Sequence, residues 1–329
     1  MPTVVITPGV LWHKPGRHVG MLQNVGFDVR YPDEPHGNLR TEQEMIDELR
    51  GAFAAIAGGE VFTANVLAAL PDLKVIARVG VGFDRIDIPA ATERGIVVTI
   101  TPTANHQAVA EQTIALILSV AKSVVVNDAI VRTGRWKQTP AKSVRGSTLG
   151  IFGLGRIGKS TAVCGRGIGM TVIATELLPD EEFVREHNIE LVDFDSLLAR
   201  SDYISIHCPL NDDTRGMFNK GVFDRMKSGS AVINTSRGGV IDESDLIDAL
   251  RMGTIGAAGL DVFEQEPPLP DNPLFELDNV ILSPHFAGTD ELSITDMTIE
   301  AAECVTKLFR GEWPEGAVVN EMLKARWTR

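Results

Sequence analysis

"TLGIFGLGRIG", residues 148–158, is an apolar run followed by three glycines in a G-x-G-x-x-G pattern: Gly153, Gly155 and Gly158. Between a strand and a helix, the first glycine allows a tight turn and the second lets a pyrophosphate approach the backbone. The third lets helix and strand pack closely. The free N–H groups at the start of that helix can then bind phosphates. Glycine-rich turns also occur without a ligand, so a purely structural turn is the alternative, but the context favours dinucleotide binding.

The next apolar run, "TVIAT" (171–175), gives a second indication of the same ligand. It ends at Glu176, 23 residues after Gly153, close to the roughly 20 expected for a carboxylate that binds the adenosine ribose hydroxyls. No Arg or Lys follows in "ELLPD" to bind a 2′-phosphate, so NAD is favoured over NADP. The nearby "GRGIGM" (165–170) lies at a helix end, where Gly169 fits a C-terminal cap instead.

Short β-branched runs alternate with helical patterns along nearly the whole chain, which is typical of parallel sheets with crossover helices. A long helical stretch, broken once, is expected from Asn105 to Thr133. The predicted strands cover residues 3–7, 27–32, 54–58, 74–80, 96–100, 147–153, 171–175, 203–208, 230–236, 257–263 and 280–284. Further helices are predicted over residues 41–52, 63–73 and 289–311. The predicted fold class is therefore α/β, with two doubly wound parallel-sheet domains of the Rossmann or flavodoxin type joined by long helices.

Composition limits the class of protein. The 329 residues are 44% apolar and 23% charged, as in ordinary soluble globular proteins, and this length favours two domains. A formal charge of −13 opposes binding to nucleic acid or anionic membrane, which select basic surfaces. No secretory signal and no membrane-spanning apolar run is expected. The cysteines Cys164, Cys208 and Cys304 lack metal-ligand spacing and fit a reducing cytoplasm, so we predict a cytoplasmic location and no metal site.

Charged side chains follow several strands of the second predicted domain, at the edge where open α/β sheets bind ligands. Arg237, Asp261 and His285 each follow such a strand, and Glu266 lies five residues past Asp261. Another strand ends in residues 207–209, which read His-Cys-Pro. Each residue alone would more often belong to a solvated loop. Gathered at one edge beside a nicotinamide, they suit the reduction of a carbonyl.

Carbonyl reduction needs these side-chain types because hydride transfer leaves negative charge on oxygen, which requires a proton donor. Histidine exchanges protons near neutral pH, so His285 fits that role, and Glu266 would hold its imidazole and stabilise the charged form. Arg237 could bind a substrate carboxylate or carbonyl through a planar fork that Lys cannot reproduce. Asp261 could accept a hydrogen bond from the nicotinamide carboxamide.

The first predicted domain contributes one more candidate. "RVGVGFDRID" (78–87) ends a strand in glycines, so the N–H groups of Val81 and Gly82 could bind a substrate carboxylate. A tight turn into the next helix explains the same letters equally well, and both interpretations stay open.

Four segments, "LGIFGLGRIG", "NTSRGGVIDESDLIDAL", "GLDVFEQEP" and "SPHFAG", resemble in order and spacing the D-isomer-specific 2-hydroxyacid dehydrogenase family. The nearer branches are its phosphoglycerate dehydrogenases and glyoxylate/hydroxypyruvate reductases. "LKVIARVGVGFDRIDIPAATERGIVV" and "ANHQAVAEQTIALIL" extend the resemblance to nearly the whole chain. It implies NAD-linked interconversion of an (R)-2-hydroxy acid and its 2-oxo acid.

The same resemblance implies a set of site residues. The family's catalytic Arg, Glu and His fall on Arg237, Glu266 and His285. The implied cofactor site consists of Gly153, Gly155, Arg156, Ile157, Gly158, Glu176, Cys208, Pro209, Thr214, Thr235, Ser236, Arg237, Asp261, His285, Ala287 and Gly288. The implied substrate contacts are Val81, Gly82, Arg237 and His285.

Domain organisation and assembly also follow from the resemblance. It implies a discontinuous substrate-binding domain (1–102 and 288–329) and an NAD-binding Rossmann domain (103–287). It further implies a homodimer formed largely by the nucleotide domains and the helical arm after Glu111. The expected partner is a small 2-oxo or 2-hydroxy acid, with neither nucleic acid nor membrane.

Two places depart from the family pattern. Members that act on phosphoglycerate usually have an Arg-Ser-x-Thr-like loop after the third strand, whereas residues 57–60 here read "AGGE" (Ala57, Gly58, Gly59, Glu60). The missing arginine and the added carboxylate should weaken recognition of a substrate phosphate and favour an unphosphorylated or otherwise unusual 2-oxo acid. His106 and Gln112 also stand where other residue types are frequent.

Two alternatives remain open. An NAD-sensing binding protein, similar to the corepressors that resemble this family, would keep the fold and act through partner surfaces without significant turnover. The charge of −13 disfavours that role. A formate or phosphite dehydrogenase on the same fold would use a hydride donor that lacks a prochiral carbonyl. Turnover with a panel of 2-oxo acids separates the three interpretations.

Overall fold

A computed structural model describes residues 1–34 and 40–327 of the chain. The chain forms two compact units. The first comprises Met1–Asn105 and Thr289–Arg329, and the second comprises His106–Gly288. The assignment of the first unit to substrate binding stays a prediction.

The first unit is built on a five-stranded parallel sheet with the strand order β2-β1-β3-β4-β5. Its strands are β1 (Thr3–Ile6), β2 (Asp28–Arg30), β3 (Ala54–Ala57), β4 (Val75–Arg78) and β5 (Val97–Thr99). Its helices are α1 (Arg17–Asn24), α2 (Glu42–Leu49), α3 (Ala64–Ala68), α4 (Ile88–Glu93) and α12 (Glu291–Phe309). The order reverses between β1 and β3, as in flavodoxin-like sheets, so the ligand-binding position expected of this sheet lies beyond the ends of those two strands.

Both faces of this sheet are covered by helices. Along β1, Val4 and Ile6 pack in one core cluster with residues of α12, whereas Val5 packs in the opposite cluster with residues of α2 and α3. All four residues of β3 are buried, which explains its uninterrupted apolar sequence. Side-chain oxygens cap the N-termini of α2, α3, α4 and α12, because Thr or Asp occupies each N-cap.

The second unit contains a seven-stranded parallel sheet with the order β12-β11-β10-β9-β6-β7-β8. Its strands are β6 (Thr148–Phe152), β7 (Thr171–Thr175), β8 (Glu190–Leu191), β9 (Tyr203–Ile206), β10 (Ala231–Asn234), β11 (Ala257–Leu260) and β12 (Val280–Leu282). The order reverses between β6 and β9. Together the two sheets confirm the predicted fold class of parallel-sheet α/β domains.

The helices of the second unit are α5 (His106–Lys122), α6 (Val124–Arg132), α7 (Arg156–Gly167), α8 (Glu181–Glu186), α9 (Phe194–Arg200), α10 (Lys220–Phe223) and α11 (Glu243–Met252). The long helical stretch expected after Asn105 is α5 and α6, which are broken at Ser123 and bent by 58°. Among the described residues no single helix has the length and apolar character to cross a membrane. Only this bent pair meets that test by length and composition.

The strands at the carboxyl edge of the second sheet are shorter than predicted. The run 230–236 forms a strand only to Asn234, because the Asn234 side chain then organises a turn. The two-residue strand β8 was not predicted, since both of its residues are exposed and leave no apolar pattern.

Candidate active site

The glycine turn after β6 requires glycine at two positions for steric reasons. Gly153 has a φ of +97°, and a Cβ there would lie 3.0 Å from the carbonyl carbon of His207. A Cβ on Gly158 would lie 2.1 Å from the carbonyl oxygen of Gly153, closer than any real contact. The turn therefore closes tightly between β6, β9 and the start of α7.

The middle glycine has the opposite surroundings. A Cβ on Gly155 would meet no atom within 4 Å, so open space adjoins the backbone at this point. Gly155 is the N-cap of α7, and no side chain caps this helix. The N–H groups of its first turn, at Arg156 and Ile157, can therefore donate hydrogen bonds to a ligand. Within the described residues, eight other α-helices have side-chain caps, at Thr41, Thr63, Asp87, Asp180, Asp193, Asn219, Asp242 and Asp290. The open, uncapped terminus fits the pyrophosphate of a dinucleotide.

Glu176 lies at the end of β7, as predicted, and its carboxylate faces the glycine turn. Its Oε2 accepts a hydrogen bond from Leu154 N (2.7 Å), and its Oε1 accepts one from Leu177 N (2.7 Å). Lys159 of α7 is held 2.6 Å from Asp180 Oδ2. This arrangement presents a fixed carboxylate beside the phosphate-binding turn, as binding of ribose hydroxyls requires.

The end of β9 lies directly against the glycine turn. His207 N donates to Phe152 O (2.8 Å), and the Thr214 hydroxyl donates to Pro209 O (2.7 Å), which closes the loop beyond Cys208. Burial lowers the pKa of His207 to about 3 and raises the pKa of the Cys208 thiol to about 11. Both side chains are therefore uncharged at neutral pH. His207, a second histidine at this sheet edge, is poorly suited to exchange protons there.

Arg237 lies in a turn that Asn234 organises. Asn234 is fully buried; its Oδ1 accepts hydrogen bonds from Ser236 N (3.0 Å) and Ser236 Oγ (2.8 Å), and its Nδ2 donates to Arg237 O (2.9 Å). Arg237 Nη1 donates to Ser236 O (2.7 Å). Sequence reasoning missed Asn234, although an Asn at a strand end before a turn is a known signal for side-chain to backbone bonding.

Close backbone packing joins the Arg237 turn to the loop of Glu266. A Cβ on Gly238 would overlap Phe263, since it would lie 1.9 Å from the carbonyl carbon and oxygen of that residue. Phe263 N in turn donates to Glu266 Oε1 (3.2 Å). Only glycine after Arg237 permits this approach.

His285 and Glu266 form a direct pair. His285 Nδ1 lies 2.7 Å from Glu266 Oε2, and the side chains are 46% and 20% exposed, respectively. A carboxylate can only accept, so it favours the form in which Nδ1 carries the proton. The imidazole is thereby oriented with its other nitrogen, Nε2, left to act on a ligand.

Asp261 fixes the backbone that carries His285. Its side chain is fully buried; Oδ1 accepts from Ser283 Oγ (2.6 Å) and Phe286 N (3.2 Å), and Oδ2 accepts from Ala287 N (2.9 Å). His285 N donates to Asp261 O (2.7 Å). His285 itself has a φ of +50°, a left-handed conformation that non-glycine residues rarely adopt. The carboxamide contact predicted for Asp261 stays a prediction; what is observed is that Asp261 holds the histidine loop.

The remaining predicted site residues of the second unit lie around this core. Thr235, at the end of β10, is buried, and its hydroxyl is 3.0 Å from that of Thr113 in α5. Gly288 follows Ala287 and is the last residue of the unit. His106 and Gln112, which stand where other residue types are frequent in the family, also make polar contacts. His106 Nδ1 is 2.8 Å from Ser160 Oγ in the first turns of α7, and Gln112 Nε2 donates to Ser283 Oγ (3.4 Å).

In the first unit, Val81 and Gly82 lie in the loop after β4. Arg78 Nε donates to Gly82 O (2.8 Å), and Gly80 N donates to the Thr101 hydroxyl (2.9 Å), so the loop is fixed on both sides. Within the described chain, the N–H groups of Val81 and Gly82 donate no hydrogen bond. These N–H groups are therefore suited to donate hydrogen bonds to an anionic ligand.

The described side chains form no group that could bind a metal ion. Among residues 1–34 and 40–327, no group of three or more His, Cys, Asp or Glu side chains is placed to hold a metal ion. The three cysteines are free and widely separated in sequence.

Comparison with known proteins identifies relatives of the chain. Residues 114–287 match the model of the D-isomer specific 2-hydroxyacid dehydrogenase, NAD binding domain. A D-3-phosphoglycerate dehydrogenase of Archaeoglobus fulgidus is 39% identical over 274 residues, which are 82% of this chain and 52% of that protein. A glyoxylate reductase of Korarchaeum cryptofilum is 40% identical over 269 residues, 80% of this chain and 81% of that protein.

A solved structure is similar over the whole fold. The glyoxylate reductase from Paecilomyes thermophila superimposes with a TM-score of 0.84 at 28% identity, covering 98% of this chain and 99% of the other. The present chain spans about half the length of the D-3-phosphoglycerate dehydrogenase but about four fifths of the archaeal glyoxylate reductase.

Proposed function

The chain belongs to the D-isomer-specific 2-hydroxyacid dehydrogenase family of NAD-dependent oxidoreductases, with residues 114–287 in its NAD-binding domain. From that premise we propose that it interconverts an (R)-2-hydroxy acid and the corresponding 2-oxo acid. The observation that carries the proposal is the 2.7 Å contact between His285 Nδ1 and Glu266 Oε2. This contact lies in the same unit, and at the same sheet edge, as the glycine turn.

We assign the proton transfer to His285. When bound, NADH supplies the hydride to the 2-oxo carbon, and the carbonyl oxygen then needs a proton. His285 Nε2 donates it, while Glu266 holds the ring by Nδ1 and stabilises the imidazolium before donation. In the oxidative direction the neutral imidazole accepts the same proton. His207 does not compete, because burial lowers its pKa to about 3 and keeps it neutral at pH 7.

Two further groups of contacts bind the substrate in this proposal. The Arg237 guanidinium binds the carbonyl oxygen or the carboxylate of the 2-oxo acid, where a planar cation stabilises developing negative charge. The free N–H groups of Val81 and Gly82 bind the substrate carboxylate, which would give the first unit its role as the substrate-binding domain. The glycine turn with Arg156, Ile157 and Glu176 would hold the dinucleotide.

We also propose a homodimer formed largely by the nucleotide domains and the helical arm after Glu111, which includes α6. Helix α6 contains no buried residue although it is rich in valine; Val124, Val125 and Val131 are each about half exposed. Trp136, beyond the helix, is 82% exposed. An apolar helix left uncovered in this way is typical of a surface that buries itself against another chain. Light scattering should therefore give about twice the chain mass of 35.6 kDa. The expected cytoplasmic location stays a prediction.

The decisive experiment is an NADH-oxidation screen of the purified protein with glyoxylate, hydroxypyruvate, phosphohydroxypyruvate and branched 2-oxo acids. His285→Ala should lower kcat by roughly 10²–10⁴-fold, the usual contribution of one acid–base group, with little change in NADH affinity. His187→Ala removes a histidine remote from the strand ends that carry the candidate residues and serves as the matched control, with kcat expected within about twofold of the parent.

Two results would contradict the proposal. Near-normal turnover by His285→Ala would remove that residue from the mechanism. Tight NADH binding without turnover of any 2-oxo acid would instead favour a binding protein that senses NAD.

A further inference from the structure

A buried ion cluster in the first unit takes no part in the proposed proton transfer. Arg40 Nη1 lies 3.0 Å from Glu60 Oε1, and Arg40 Nε lies 2.8 Å from Glu48 Oε2. The side chains of Arg40 and Glu60 are each 1% exposed, and that of Glu48 is 14% exposed. One guanidinium thus faces two carboxylates, so the Arg40 cluster (Arg40, Glu48 and Glu60) carries a formal charge of −1.

The Arg40 cluster lies at the ligand-binding edge of the sheet. Thr7 directly follows β1, and its carbonyl oxygen accepts a hydrogen bond from Arg40 Nη2 (3.2 Å). Glu60 lies three residues after the end of β3. These neighbouring strands are where the strand order reverses, and open α/β sheets bind ligands beyond the carboxyl ends of strands at such a point.

The second carboxylate oxygen of Glu60 is not satisfied. Oε2 is buried and has no hydrogen-bond partner among the described residues. It lies 3.4 Å from the position that a Cβ on Gly58 would occupy. Gly58 and its neighbour Gly59 are both partly exposed and have no side chains. A carboxylate oxygen without a hydrogen-bond partner in the described chain therefore lies directly beneath the backbone of Gly58, which has no side chain to cover it.

Other cations of this edge are already engaged. Arg85 Nη1 donates to Gly59 O (3.0 Å), and Arg78 Nε donates to Gly82 O (2.8 Å). These guanidinium groups keep their positive charge and hold the loops through backbone carbonyls, whereas Arg40 is paired with two carboxylates. The missing loop arginine is thus not replaced by Arg40, because that side chain is buried and neutralised.

We infer that Glu60, held by Arg40, is a specificity-determining residue that excludes substrate tails with a second negative charge. The inference rests on the proposed function, in which the 2-oxo acid's own carboxylate is the first charge. A phosphate or second carboxylate near Gly58 would face the surplus charge of the cluster through protein, where repulsion is screened less than in water. The substrate class is therefore 2-oxo acids with neutral tails, such as hydrogen, alkyl or hydroxymethyl.

Matched pairs of substrates test the inference through ratios of kcat/KM. Hydroxypyruvate with phosphohydroxypyruvate, and 2-oxobutyrate with oxaloacetate, differ mainly in the second negative charge. We expect the parent protein to prefer the neutral tail in both pairs. The isosteric change Glu60→Gln should reduce the preference by about 30-fold, the factor for two unit charges roughly 8 Å apart at an effective dielectric constant of about 20. Asp47→Asn removes one charge from an exposed position of α2 and should leave both ratios within about twofold.

The outcomes are distinct. Equal use of both members of each pair by the parent, or unchanged ratios in Glu60→Gln, would overturn the inference. If Glu60→Gln fails to fold, Glu48→Gln also neutralises the Arg40 cluster while keeping the Arg40–Glu60 pair, and it should shift both ratios in the same direction. If no 2-oxo acid is turned over, the proposed function fails by itself. Charge exclusion is then measured by titrating the NADH complex with D-glycerate and 3-phospho-D-glycerate, and equal binding of the two would refute it.

Discussion

Replacing His207 with Asn should remove a defined part of the acid sensitivity of folding. In the folded protein burial lowers the pKa of His207 from 6.5 to about 3, whereas the unfolded chain keeps the ordinary value. Between these values the unfolded chain binds one proton more than the folded one. The stabilisation that comes from the neutral ring is therefore complete above pH 6.5 and is lost as the pH falls towards 3.

The magnitude follows from the two pKa values. The free energy of unfolding should fall by about 1.4 kcal/mol per pH unit below 6.5 through this side chain alone, and by about 2 kcal/mol between pH 7 and pH 5. A folded-state pKa one unit higher would change the figure at pH 5 very little, because pH 5 would still lie above it. The expected effect thus depends on the direction of the shift more than on its exact size.

Urea unfolding followed by circular dichroism at pH 7 and pH 5 measures the effect in the parent and in His207→Asn. The variant can be less stable at both pH values, since it removes a packed ring. The decisive quantity is the difference between the two proteins' losses from pH 7 to pH 5, which should be about 2 kcal/mol. Burial also lowers the pKa of His18, but this contribution is common to both proteins and cancels. Equal losses would show that His207 titrates normally and would return it to the list of possible proton donors.

The other predictions concern the dinucleotide turn and the substrate cation. Gly158→Ala should lower the free energy of unfolding by about 1–3 kcal/mol in urea titrations, because its Cβ would lie 2.1 Å from Gly153 O. Gly155→Ala should leave the free energy of unfolding nearly unchanged, because its Cβ meets no atom within 4 Å, but it should weaken NADH binding. Glu176→Ala should weaken NAD binding by about 10–100-fold in fluorescence titrations and relax discrimination against NADP, and an unchanged cofactor preference would refute its role. Arg237→Lys should stay within about tenfold of the kcat/KM of Arg237→Ala if fork geometry matters, and recovery towards the parent value would contradict this.

The fold was largely predictable because parallel strands are buried on both faces. Strands such as β3 and β9, in which every residue is buried, give uninterrupted apolar runs that stand out between helical patterns. The exposed strand β8 gave no such signal. The break between α5 and α6 was expected, but its position was not, because Ser123 adopts a positive φ of 51° without a glycine or proline to mark it.

The glycine turn of the candidate site was predictable from the sequence, whereas the residues that hold the site in place were not. The family resemblance is confirmed, and the glycine turn could be read from spacing because sterics allow few other residues there. The residues that hold the site were not found from sequence. Asn234 and Ser283 act through hydrogen bonds that depend on where a strand ends, and the Arg40–Glu60 pair joins positions 20 residues apart with no periodic pattern. The weaker phosphate recognition expected from Glu60 stays a prediction, but the burial of that side chain and its pairing with Arg40 could not be seen in the sequence.

His285 shows why local sequence alone could not describe the chemistry. Its left-handed backbone costs conformational energy, of order 1–3 kcal/mol, that neighbouring structure must offset. Asp261 offsets it by accepting hydrogen bonds from the amides of Phe286 and Ala287, and Glu266, five residues further along the same segment, fixes the ring. Two segments that are distant in sequence thus set one imidazole's position. A histidine after an apolar strand becomes a candidate proton donor only because two carboxylates hold it. Asp261 binds the backbone of its loop, and Glu266 binds its ring.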